Sequence, residues 1–354
     1  MDSRKENQKE PIAAQEAPVE LAHASSGKPT QRTIASLTGL AVTTVSKALA
    51  GDEKIALKTR ERVNRVAEEI GYAPDRAAQR LRTGRTHVIA LVLDPHSEMI
   101  GFSASMIAGI SQRLQKTPYH LVLMQHELGE APINPIRRIV RNRLADGVIF
   151  ARTSPQDDRV SYLLDKGFPF ITHGRTELPA HPWVDYDNEA FASLAVKRLA
   201  ATGKQHIALI APSDEHMFAR HLAKGFWSAI HAHGVRGMVP DDFDLHSSTE
   251  LIRQRAAEHT TAPDAPDGWI CPGEIAAMAV SAAIFDQNGG ARHGTRIVGK
   301  RTSPAIDLLR PNIDLISEDL SETGYLLSDI LVQKIENRSI ARATKIVKPV
   351  QLWT

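Results

Sequence analysis

The sequence predicts a small all-α head joined to an α/β core of two lobes with parallel sheets. Three observations predict it. Between residues 33 and 49, two short apolar stripes (Ile34 with Leu37, Val45 with Leu49) flank Gly39. From His87 onward, short apolar runs alternate with segments of helical periodicity. Charge divides the chain at the same place. Residues 28–86 carry 12 Lys and Arg against 6 Asp and Glu, although the net charge of all 354 residues is only +2.

Residues 1–27 are rich in Glu, Gln, Ala and Pro, with almost no large apolar groups. They cannot bury enough surface to order themselves and are expected to form a disordered tail. The head follows over residues 28–75. Its first two segments are too short to stand alone and must pack on each other. Gly39 supplies the left-handed backbone that ends the first and turns the chain. Thr43, Thr44, Ser46 and Lys47 stay on the outer face of the second segment. Short polar groups and a cation on such a face reach base edges or phosphate in a major groove, so the pair reads as a helix-turn-helix. Residues 58–70 form a third segment, with Val63, Val66 and Ile70 on one face and Gly71 as its stop. Residues 76–86 are small, polar and basic. They read as a hinge that becomes helical only when held against DNA.

On these residues the chain resembles the LacI/GalR family of bacterial transcriptional regulators. The resemblance is carried by Thr44, Val45 and Ser46, by the run from Lys58 to Val63, and by the run from Gly71 to Ala78. It extends from Pro29 to near Thr354. It implies DNA contacts from Thr30, Val42, Thr43, Thr44, Ser46, Lys47 and Tyr72 in the head. It adds Arg76, Ala78, Gln79 and Leu81 in the hinge, with Leu81 as the wedge that enters the minor groove and kinks a base step. Tyr72 has an alternative use, packing at the exit of the third segment. Ala41, Lys47 and Ala56 stand where the family usually has Ser, Arg and Ser. Each lost cap is worth about 1 kcal/mol.

In the core, residues 88–93, 120–124, 147–150, 168–172, 206–210, 268–270 and 296–298 read as buried strands. Residues 105–114, 188–201 and 274–286 read as helices between them. Such alternation implies parallel sheets covered on both faces. Count and length suit two lobes over residues 87–354, although no internal repeat displays them. Ligands of such folds bind beyond the carboxyl ends of strands. The resemblance implies a periplasmic-binding-protein-like core with a small effector in the interlobe cleft. Strand ends and nearby turns nominate Asp94, His96, His126, His173, Arg175, Asp187, Arg220, Glu274 and Arg301 as effector-binding residues. Each has a plainer use as a loop residue or cap, Asp187 above all as a helix N-cap.

Two departures from the family bear on the ligand. Many relatives end the last core strand in Gly-Phe-Asp or Gly-Tyr-Asp; here the residues are Gly299, Lys300 and Arg301. Many carry Arg three residues before a Gly-Phe pair; here Leu222 precedes Gly225 and Phe226, with Arg220 and His221 nearby. The pocket is therefore expected to be rearranged. A bolder extension is an acidic effector, a sugar acid or sugar phosphate, paired with Arg301 or Arg175.

The function expected is that of a transcriptional repressor. Its affinity for double-stranded operator DNA would be controlled by a small carbohydrate-like effector. A homodimer would place two recognition segments on a pseudo-palindromic site. The chain ends without a heptad helix, which argues against a tetramer. Two alternatives are a carbohydrate-binding transport protein and a sugar-converting enzyme. The first needs export, and the N-terminus lacks an apolar signal core. The second finds no Gly-rich phosphate loop, nucleophile elbow or zinc motif. No enzymatic activity, cofactor or metal is expected. The single Cys271 excludes an internal disulfide and fits a reducing cytoplasm. No apolar run is long enough for a bilayer. A cytoplasmic, nucleoid-associated location follows.

Overall fold

The computed structural model describes residues 28–73, 80, 83–93, 99–125, 127, 129–287, 294–308, 313–338 and 343–353. The proposed tail at 1–27 lies outside them, as do Arg76, Ala78, Gln79 and Leu81 of the hinge. The chain divides into two units, residues 1–82 and 83–354.

The head is a three-helix unit of α1 (Gln31–Thr38), α2 (Val42–Leu49) and α3 (Leu57–Glu69). Thr30 caps α1 in a reciprocal box. The Thr33 amide donates to the Thr30 hydroxyl, and the Thr30 amide donates to the Thr33 hydroxyl at 3.1 Å. Gly39 takes φ 64° and its amide donates to the Ala35 carbonyl, which turns the chain into α2. Ile34, Val45, Ala48, Val63 and Ala67 form the shared core, with Tyr72 packed against it. Neither Ala41 nor Ala56 makes a side-chain cap, as their methyl groups dictate.

The second unit holds two six-stranded sheets. The first has the order β11-β5-β4-β3-β1-β2 and the second β12-β10-β9-β8-β6-β7. Its first lobe comprises β1 (Val88–Leu93), α4 (Met99–Leu114), β2 (His120–Gln125), α5 (Ile133–Asn142), β3 (Gly147–Ala151), α6 (Asp158–Asp165), β4 (Phe170–His173) and β5 (Trp183–Tyr186). The second comprises α7 (Asn188–Ala201), β6 (His206–Leu209), α8 (Met217–His233), β7 (Arg236–Met238), α9 (Thr249–Thr261), β8 (Gly268–Cys271), α10 (Glu274–Gln287), β9 (Arg296–Arg301) and β10 (Ile313–Ser317). The chain then returns to the first lobe through α11 (Leu320–Ile335) and β11 (Thr344–Val347), and ends on β12 (Val350–Gln351) in the second. Three crossovers thus join the lobes: Tyr186 to Asn188, Ser317 to Leu320, and Val347 to Val350. All the strand pairs are parallel except β10 with β12.

One expectation needs correction. The run at 120–124 is not a buried strand: β2 pairs only with β1, and Val122 and Leu123 are exposed. It is a sheet edge, where one side has no neighbour to bury it. Strands β3, β6 and β8 are buried along their whole length, as a sheet covered on both faces requires. Both lobes pack one helix pair backbone to backbone. A Cβ on Gly109 of α4 would lie 1.9 Å from the Ser321 carbonyl of α11, and one on Gly225 of α8 would lie 2.2 Å from the Glu189 carbonyl of α7.

Candidate functional site

Two surfaces carry chemistry. In the head, burying Val45 and Ala48 of α2 inward turns Val42, Thr43 and Lys47 outward, with Thr44 and Ser46 half-buried. Thr30 is exposed at the start of α1. Five of these six side chains are hydroxyl-bearing or cationic; Val42 adds an exposed apolar contact. That is the mixture that reads base edges, thymine methyls and phosphates. Tyr72, half-buried, packs on the head core.

In the second unit, a cleft of about 120 Å³ opens between the lobes. The first lobe contributes Phe102, Ala151, Arg152, Thr153, His173, Gly174, Arg175 and Asp185. The second contributes Met217, Phe218, Leu245, Pro272, Gly273, Glu274, Lys300 and Thr302. Asn188 and Glu318 come from the crossovers. Strand ends aim most of these inward, and two phenyl rings supply apolar faces.

The charges in the cleft are largely paired. Arg175 Nε donates to Asp185 at 2.6 Å, its guanidinium lies over the Trp183 ring, and its Nη2 meets His221 Nδ1 at 3.3 Å. Burial and then the Arg175 charge push His221 below the usual imidazole range. Lys300 Nζ lies 3.0 Å from Glu318 and donates to Asn188 Oδ1 at 2.8 Å. Burial would raise the Glu318 carboxyl, but Lys300 and His173 outweigh it and hold it at about 2. Glu274 accepts from the Thr302 amide at 2.6 Å and the Ser303 hydroxyl at 2.8 Å, which fixes the loop after β9.

Arg152 has a left-handed backbone, φ 56°, uncommon for a side chain of its size. A buried neighbour holds it there. Arg159 Nη2 donates to the Ala151 and Arg152 carbonyls at 3.2 and 2.9 Å while pairing with Asp157. The Arg152 guanidinium then reaches across to His216 at 3.4 Å and to His246. The Met217 amide donates to the Thr153 carbonyl at 2.9 Å, and Ser105 donates to the Thr302 carbonyl at 2.9 Å. These bonds join the lobes across the mouth and side of the cleft. Gly174 at φ 115° is needed beside them: a Cβ there would lie 2.7 Å from the Thr153 hydroxyl.

Of the effector residues expected from the sequence, His173, Arg175 and Glu274 line the cleft. Asp94, His96 and His126 lie outside the described residues. Three others are spent elsewhere. Asp187 caps α7, accepting from the Ala190 amide at 3.0 Å, and pairs with Lys348 at 2.6 Å. Arg220 pairs with Glu177 on the surface at 3.1 Å. Arg301 is held by both oxygens of Asp307, each at 2.8 Å, and does not line the cleft. The strand-end rule passed over Arg152, which directly follows β3. It could not find Glu318, because β10 was not recognised as a strand. Lys300, which the sequence did not nominate, is only 6% exposed. Among the described residues no cluster of His, Cys, Asp or Glu could hold a metal, and no helix is long and apolar enough to cross a membrane.

Known proteins match both units. Residues 86–352 match the profile described as periplasmic binding proteins and sugar binding domain of LacI family. Residues 30–75 match that of bacterial regulatory proteins, lacI family. The HTH-type transcriptional regulator RafR of Escherichia coli is 35% identical over 210 residues, covering 58% of this chain and 62% of its own length. The chain therefore spans somewhat less than two thirds of that relative. The regulator AglR of Rhizobium meliloti is 30% identical over 286 residues, 78% of each chain. Among solved structures, a lac repressor dimer bound to operator and the anti-inducer ONPF aligns with TM-score 0.76 at 19% identity, covering 92% of this chain and 98% of that one. A complex of the regulator CelR with cellobiose aligns with TM-score 0.63 at 21% identity, over the same shares of the two chains.

Proposed function

The chain belongs to the LacI family of bacterial regulatory proteins, and from that premise we propose that it regulates transcription by binding operator DNA in a carbohydrate-dependent way. The head holds double-stranded DNA through the outer face of α2, with Thr43 and Lys47 at base edges or the adjacent phosphates. A neutral sugar occupies the interlobe cleft and alters the fit of a homodimer to a two-fold site. It does so by binding one arrangement of the lobes better than the other. The protein acts as a repressor in the cytoplasm, on nucleoid DNA, and we assign it no catalytic role.

One observation supports this most strongly. A polar, cation-bearing helix face and a cleft lined by polar groups of both lobes occur in the same chain. The pairing of Arg301 with Asp307 outside the cleft, and of Arg175 with Asp185 within it, counts against an acidic effector, because both cations expected to meet it already have carboxylate partners. A gel-shift on the DNA upstream of the protein's own gene tests the proposal. Specific retardation that weakens steeply with salt is expected. Equal retardation of unrelated DNA at every salt concentration would overturn it.

A further inference from the structure

The last residues of the segment read as a hinge, Arg85 and Thr86, belong to the second unit. Exposure changes at this point: Thr83 and Gly84 are exposed, whereas Arg85 to Val88 are half-buried. Three separate parts of the first lobe hold them. Asp146, just before β3, accepts from the Thr86 and His87 amides, each at 2.8 Å, and from the Thr86 hydroxyl at 2.9 Å. Arg85 Nη2 donates to the Ile335 carbonyl at the end of α11, at 3.2 Å. That carbonyl is among the last four of the helix, which have no partner within it, and a cation there suits the helix dipole. At the start of β2, the Tyr119 ring packs edge-on against His87, with centroids 5.7 Å apart, and the His120 amide donates to the His87 carbonyl at 2.8 Å.

His87 takes φ 52°. A left-handed backbone costs a residue of this size energy and persists only where its surroundings over-determine it. The bonds to Asp146 and His120 do so, and the chain makes one fixed turn as it enters β1. From this turn α11 runs back to the cleft. Its 16 residues span about 24 Å. Its first end follows Glu318, whose carboxylate meets Lys300 of the second lobe at 3.0 Å and His173 of the first at 3.3 Å. The helix cannot slide on its lobe. A Cβ on Gly324 of α11 would lie 2.3 Å from the Met106 carbonyl of α4, and one on Gly147, next to Asp146, would lie 2.8 Å from the Ile335 side chain. Helix, first lobe and turn therefore move as one body.

We propose that Arg85, Thr86, His87 and Asp146 form an anchor that fixes the direction in which the chain leaves the first lobe. In this anchor Arg85 is a positioning residue for operator binding, not a phosphate contact. Without its tie to Ile335 more of the chain beside the hinge must be ordered when specific DNA is bound, at a cost in conformational entropy. Non-specific binding, which rests on charge, does not need that order. A guanidinium that met phosphate would behave differently, because its removal would lower the salt dependence of binding.

This rests on the operator-binding reading above, and the test separates the two. Gel-shifts would compare the full-length protein with Arg85→Ala and Asp146→Ala, on DNA upstream of its own gene and on unrelated DNA, over a range of salt. Each variant should lose about tenfold in specific affinity while its non-specific affinity and its salt slope stay those of the unaltered protein. Thermal melts report folding, and if one variant does not fold the other decides. A salt slope smaller by about one in Arg85→Ala would make Arg85 a phosphate contact and overturn the anchor. Unchanged specific affinity in the folded variants, or an equal loss on both DNAs, would also overturn it. Amide exchange in the free protein gives a second readout. Thr86 and His87 should be protected in the unaltered chain and exchange about tenfold or more faster in Asp146→Ala; fast exchange of both in the unaltered chain contradicts the anchor. Absence of specific retardation by the unaltered protein would instead overturn the functional reading, and the role of the anchor with it.

Discussion

Lys300 and Glu318 place a full charge pair in an interior that is otherwise mostly aliphatic. Removing one partner strands the other, so Lys300→Ala should destabilise the core by about 3–5 kcal/mol in urea melts. The pair also sets an acid limb. The folded carboxyl of Glu318 sits at about 2, below its ordinary 4.5. Its contribution is therefore fully present above about pH 4.5 and is lost as pH falls toward 2. Melts at pH 5, 4 and 3 should show a steeper loss in the unaltered protein than in Glu318→Gln; equal slopes would contradict the assignment. In the head, Lys47→Ala should cost about 1–3 kcal/mol of operator affinity if its ammonium reads guanine. A Thr43→Ala, Lys47→Ala double variant that folds and binds operator unchanged would remove α2 from the interface.

The close helix pairs show what element packing demands. Gly109→Ala and Gly225→Ala should each destabilise by about 1–3 kcal/mol or more, because the added methyl meets backbone that cannot step aside. Gly294→Ala, with nothing within 4 Å, is the matched control and should be near neutral in thermal melts. None of this was legible beforehand: a helical glycine looks the same whether or not a carbonyl lies over it. Buried strands such as β3 and β8 were legible because both of their faces are apolar. The edges β11 and β12 were not, nor was β10, which has only the two-residue β12 beyond it, because half-covered strands mix residue types. That gap hid Glu318. The same kind of edge made β2 look buried when it is not. Among site residues, Arg175 was legible from its place after β4, whereas Arg301 misled because its partner Asp307 is supplied by a turn.

At the scale of the whole molecule, a cleft ligand must reach the DNA through the lobes and the hinge. A segment as short as residues 77–82 is not a stable helix alone. Leu81→Ser should therefore weaken specific operator binding far more than non-specific binding, as read by competition gel-shifts. Strong amide-exchange protection of that segment in the free protein would contradict a hinge ordered by DNA. Sugar and operator must also influence each other reciprocally, since each can shift the protein only by binding its states unequally. The most direct test is fluorescence anisotropy of a labelled operator at fixed protein and salt, titrated with a neutral sugar that calorimetry has shown to bind. The operator dissociation constant should rise about fivefold or more as the sugar saturates. An operator affinity indifferent to that bound sugar would contradict the coupling between cleft and DNA.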